Sequence, residues 1–182
     1  MGTTYADAVG DLDAAIERLR LARWADEAEQ RRALNEAMGC VYRLRNQVQN
    51  LVADLDRYYS MADQQVPVRI VEAIVLVRGA GEHDFMRDVE PRARYAYFGP
   101  RTFPSRNLFA DDRNLYWRAR SDLTYDLTAR DRKYGPRLAR YYDEHLDGFL
   151  VLDTLDAARA FFAGRASPSS EDPGEWWPPL PG

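Results

Sequence analysis

The 182-residue chain holds one cysteine, one lysine and two histidines, and each scarcity removes a class of chemistry. Cys40 alone can form neither a disulfide framework nor a thiolate metal cluster, and a lone thiol in a helical pattern fits a reducing, cytoplasmic compartment. The opening MGTTYADAVGD has no basic segment leading into an apolar one, so no secretory leader is expected. Ala6 occupies the position where an N-myristoylation signal needs Ser or Thr. No strongly apolar run approaches the ~20 residues of a membrane span. Gly79 and Gly81 lack the following lysine or third glycine of a nucleotide-binding loop. No serine or cysteine nucleophile stands beside a histidine. Glu82, Asp84, Asp88 and Glu90 have no second histidine or cysteine near them and read as a solvated acidic rim, so neither a metal nor another cofactor is expected.

What is present suffices for a core: 46% of the residues are hydrophobic and 12% aromatic. The net charge of −4 gives no global basic field to draw in a polyanion. The basic residues are nearly all arginine, 24 against Lys133. Arginine makes planar, bidentate contacts to carboxylates and phosphates that lysine cannot, although a GC-rich coding bias produces the same composition.

Helical periodicity dominates. Thr3 or Thr4 can cap a first helix in which Val9, Leu12, Ile16 and Leu19 fall on one face, ending near Trp24. From Asp26 the positions Leu34, Ala37, Val41, Leu44, Val48, Leu51, Leu55 and Tyr58 alternate steps of three and four, which predicts one unbroken helix of about 50 Å at 1.5 Å per residue. A coiled-coil dimer is one use for such a rod, and a bundle within the chain is the favoured one. Pro67 fits the first turn of a third helix. The β-branched run Ile70, Val71, Ile74, Val75 and Val77 also suits a buried strand, and the helix is favoured because no comparable strand is available to pair and Arg69 and Glu72 fall at helical pair spacing. Leu138, Tyr142, His145, Phe149, Leu152, Leu155 and Phe162 form a last apolar stripe that runs through Gly148. His145 on that stripe reads as a hydrogen-bonded core or interface residue.

The fold class expected is all-α: an antiparallel bundle of four-helix type over residues 1–164, with an irregular insertion at about 90–132. Within it the segments 94–98 and 114–120 read as strands of a hairpin or as extended loop. Residues 165–182, RASPSSEDPGEWWPPLPG, are too rich in Pro, Ser and Gly to fold alone, and Trp176 and Trp177 within them clip onto the body or a neighbour or stand exposed.

Two features carry candidate function. The third helix gives out in RGAGEH, from Arg78 to His83. Arginine can hold a phosphate and stabilise charge growing on it, and a histidine near its ordinary pKa can give or take a proton. Five residues of regular helix turn two side chains about 140° apart, so the glycine-rich interruption, or a second subunit, has to bring the pair together. The plain structural alternative pairs Arg78 with Glu72, Glu82 or Asp84 and makes His83 a helix cap.

The spacing from Arg78 to His83 matches the Arg-x4-His motif of the HEPN superfamily, and the helical pattern over roughly residues 4–164 resembles that superfamily's bundle. The resemblance implies a homodimer in which two motifs meet. It also implies metal-independent cleavage of RNA in a defence or toxin–antitoxin setting, with Arg78 on the phosphate and His83 as the acid–base residue, and an antitoxin as a partner. Active members commonly carry Asn, Asp or His directly after the arginine, where this chain has Gly79. A catalytically inactive helical module that binds a protein partner is therefore the alternative.

The second feature is the insertion. Between Arg87 and Arg120 stand eight arginines and four acids, interleaved with aromatics. Arg94, Tyr97, Arg101, Arg106, Trp117 and Arg118 are the residues expected to neutralise an RNA backbone and stack its bases. The competing reading packs these aromatics onto the bundle and pairs the arginines with acidic helices.

Overall fold

A computed structural model describes residues 4–22, 24–50, 54–80, 88–92, 114–128 and 133–164. Helix α1 spans Tyr5–Ala22, α2 Glu27–Gln49, α3 Leu55–Ala62, α4 Val66–Ala80, α5 Gly135–His145 and α6 Val151–Ala163. Strands β1, Val89–Arg92, and β2, Asn114–Trp117, complete the set with a 3-10 turn at Arg120–Asp122.

Local chemistry sets the helix starts. The Thr4 hydroxyl accepts from Asp7 N–H at 3.1 Å while the Asp7 carboxylate accepts from Thr4 N–H at 3.0 Å, so each residue satisfies the other's free donor at the mouth of α1. Asp26 caps α2 by accepting from Glu29 N–H at 2.9 Å.

The expected 50 Å rod does not form. Asp54 has extended backbone, and its carboxylate accepts from the N–H groups of Asp56 and Arg57, a geometry that starts a new helix, α3. Apolar spacing alone does not register that cap. The last stripe is likewise two helices: Gly148 takes φ 72°, which L side chains rarely adopt, and the chain turns between α5 and α6 there. Phe149, placed on the stripe by spacing, is exposed in that turn.

α1, α2, α4 and α6 close into a four-helix bundle, each packed on the next and α6 back on α1. Cross-helix pairs give the directions. Arg18 meets Glu36 between α1 and α2, Arg45 meets Glu72 between α2 and α4, and α6 runs back along α1 from Asp156 beside Arg20 to Phe162 O beside the Tyr5 hydroxyl. Leu12, Ile16, Leu34, Met38, Leu44, Ile74, Leu155 and Phe162 fill the interior. The short α3 packs on α4, and α5 lies along its outside.

β1 and β2 pair antiparallel, Val89 opposite Trp117 and Arg92 opposite Asn114. The second strand lies where the sequence places one; the first precedes the expected 94–98, a segment outside the described residues. The hairpin is fastened to the bundle: Trp117 N–H donates to Phe149 O at 3.0 Å, and Gly148 N–H to Trp117 O at 3.2 Å. Among the described residues no helix is long and apolar enough to cross a membrane.

Candidate nucleic-acid site

The site is built from the C-terminal end of α4. Val71, Ile74 and Val77 bury one side of that helix, which turns Arg78 in the last turn toward the rim, half-buried. Cations are favoured at a helix C-terminus by the exposed carbonyl dipoles. The Arg78 guanidinium lies over the Tyr42 ring of α2, 4.0 Å from its centroid. Among the described residues this stack is its contact, and no carboxylate there takes its N–H fork.

Glu72, one of the acids the sequence offers to Arg78, is taken. Arg45 from α2 grips it with two N–H donors, Nε to Oε1 at 2.7 Å and Nη2 to Oε2 at 2.8 Å, and the Tyr58 hydroxyl of α3 donates to Oε1 at 2.6 Å. The pair is desolvated, the Glu72 side chain 1% and Arg45 11% exposed. Burial alone would lower the Arg45 pKa, but the Glu72 carboxylate overrides it and the guanidinium stays charged. Tyr58 is pushed well above its usual range, first by burial and then by the Glu72 charge. Arg69, expected to pair with Glu72 along the helix, instead meets Glu144 of α5 at 3.0 Å. In both cases a partner on another helix replaces the neighbour on the same one.

His83, Arg94, Tyr97, Arg101 and Arg106 lie outside the described residues, as do Glu82, Asp84, Trp176 and Trp177. Trp117 does not offer a stacking platform: it is fully buried, and its indole N–H donates to the Thr154 hydroxyl of α6 at 3.0 Å. Its position in β2 opposite buried Val89 turns the ring inward, and strand alternation about an unknown register does not reveal that from sequence. Arg118 is half-buried, 3.8 Å from Glu90, and its backbone carbonyl accepts from the Tyr142 hydroxyl at 2.6 Å.

Two other groups bear on chemistry. Cys40 is buried, with its thiol held protonated by that burial and an Arg43 N–H directed at the sulfur at 3.1 Å, so it is no nucleophile. His145 has a 14% exposed side chain and no hydrogen bond to Nε2 among the described residues; Glu144 is 3.6 Å away. Among the described residues no cluster of three His, Cys, Asp or Glu side chains is arranged to hold a metal ion.

No protein-family model, curated protein or solved structure matches the chain.

Proposed function

We propose that the protein binds RNA at the C-terminal end of α4 and cleaves it without a metal, in the manner of the HEPN proteins its motif resembles. The observation that supports this reading is Arg78: a guanidinium at the rim of the bundle, stacked on Tyr42, with no described carboxylate on its N–H fork. Of the three acids whose pairing would make Arg78 merely structural, Glu72 is held by Arg45 instead.

In the proposed reaction the RNA 2′-oxygen attacks the adjacent phosphorus while His83 takes the 2′ proton. The P–O5′ bond breaks, the departing 5′ oxygen takes a proton, and a 2′,3′-cyclic phosphate remains. Arg78 neutralises charge growing on the non-bridging phosphate oxygens through its planar fork. A homodimer supplies a second histidine, so that acid and base come from different subunits. A bacterial defence or toxin–antitoxin setting, with an antitoxin as partner, follows from the same resemblance.

The test is incubation of labelled tRNA and mixed RNA with purified protein in EDTA, followed by His83→Ala and Arg78→Ala. Cleavage abolished in both variants supports the reading, and intact RNA with the wild type sinks the nuclease. A catalytically silent, cytoplasmic interaction module is the second reading. It is supported by Leu21, 74% exposed in the last turn of α1, an apolar side chain open to a protein partner.

A further inference from the structure

We propose that Tyr42 is the positioning residue for Arg78, holding the guanidinium by one face so that its N–H fork meets a backbone phosphate of single-stranded RNA. This rests on the RNA reading above and adds to it a residue that the motif does not contain.

Chemistry distinguishes an aromatic holder from a carboxylate. A carboxylate at the same place would fix the guanidinium by consuming two N–H donors and cancelling its charge. The Tyr42 ring attracts the cation through its π face and leaves all five donors and the charge intact. At 4.0 Å from the ring centroid the guanidinium is well inside the ~6 Å reach of that attraction. An arginine otherwise has many rotamers to lose when it binds, and a stack formed beforehand removes part of that loss.

The frame behind the stack is stiff. Tyr42 lies inside α2 and Arg78 in the last turn of α4, so neither is carried by a loop. Arg45 is one helical turn from Tyr42, and Glu72 less than two turns from Arg78; their two parallel hydrogen bonds lock α2 and α4 in register. Tyr58 braces the same carboxylate from α3. The bundle thus delivers the ring and the guanidinium to each other before any ligand arrives.

The experiment pairs two readouts on Tyr42→Phe, Tyr42→Trp, Tyr42→Leu and Tyr42→Gln: fluorescence anisotropy with a labelled single-stranded RNA in EDTA, and the NMR order parameter of Arg78 Nε without RNA. Phe and Trp keep a π face and bind within about two-fold of wild type. Leu and Gln bind about five-fold more weakly, and their Arg78 becomes as mobile as exposed Arg32. Wild-type affinity in both Leu and Gln, or a loss in Phe as large as in Leu, overturns the proposal. Absence of RNA binding by the wild type overturns the RNA reading instead. An Arg78 that is rigid in wild type and loosened in Leu still identifies Tyr42 as its holder, so the two failures separate.

Discussion

Arg45 and Glu72 face each other across the α2–α4 contact through two parallel N–H···O bonds of 2.7 and 2.8 Å, almost wholly withdrawn from water. The pair commits Glu72 elsewhere than to Arg78, and it ties α2 to α4 within two turns of the Tyr42 stack. Such a pair is costly to disturb from one side, because the abandoned partner keeps its charge without a counterion.

Glu72→Ala should therefore destabilise the protein by about 3–5 kcal/mol, read as a lower urea midpoint at unchanged slope. Arg45→Ala should cost about as much, and the double variant clearly less than the sum, because each single change strands the other charge. Strict additivity in a double-mutant cycle would contradict direct coupling.

Trp117→Phe should lower stability by about 1–3 kcal/mol, since the Thr154 hydroxyl loses the indole donor and the smaller ring leaves space beside α6. Trp117 is sealed inside, so wild-type protein and this variant should show the same affinity for RNA once both are folded. A selective loss of RNA affinity without loss of stability would restore the indole as a stacking residue.

Burial, and then the Arg69 charge facing it from α4, holds the His145 imidazole below its ordinary value near 6.5, opposed by Glu144 on its own helix, which Arg140 also approaches. The unfolded chain then takes up a proton at a pH where the folded chain does not. Stability from this group is fully present above the ordinary imidazole pKa and is lost as pH falls through the folded value. Urea midpoints from pH 7.5 down to 5 should fall more steeply for wild type than for His145→Gln, and identical slopes would contradict the assignment.

Gly135 opens α5 against the backbone of the Thr128 turn. A Cβ placed there would stand 2.7 Å from Thr128 O and 3.0 Å from its Cα, atoms that cannot swing aside as a side chain can. Gly135→Ala should cost about 1–3 kcal/mol, despite alanine's better helix propensity, by forcing that turn away from the helix start. A thermal midpoint equal to or above wild type would refute the close approach.

Periodicity made the architecture legible. The three- and four-residue spacing of Leu12, Ile16 and Leu19, and of Leu34, Val41, Leu44 and Val48, marks faces that must leave water, and those residues are the core. Pro67 in the first turn of α4 and Thr4 at the mouth of α1 follow from which backbone N–H groups a helix start leaves spare. The breaks were harder to read. An acid such as Asp54 inside a continuing apolar pattern looks like any exposed helical residue until its carboxylate is seen on the N–H groups of Asp56 and Arg57.

The sequence by itself determined that this chain buries a helical core and that the apolar run of α4 gives way to an arginine followed by glycine. Both are consequences of local spacing and backbone preference. Partnership was decided by the tertiary structure alone. Residues far apart in the chain come together only when helices pack: Arg45 with Glu72, Arg69 with Glu144, Tyr42 with Arg78, and Trp117 with Thr154. A charge or a ring takes whichever neighbour the packed register brings within reach, and spacing along a single helix does not contain that information.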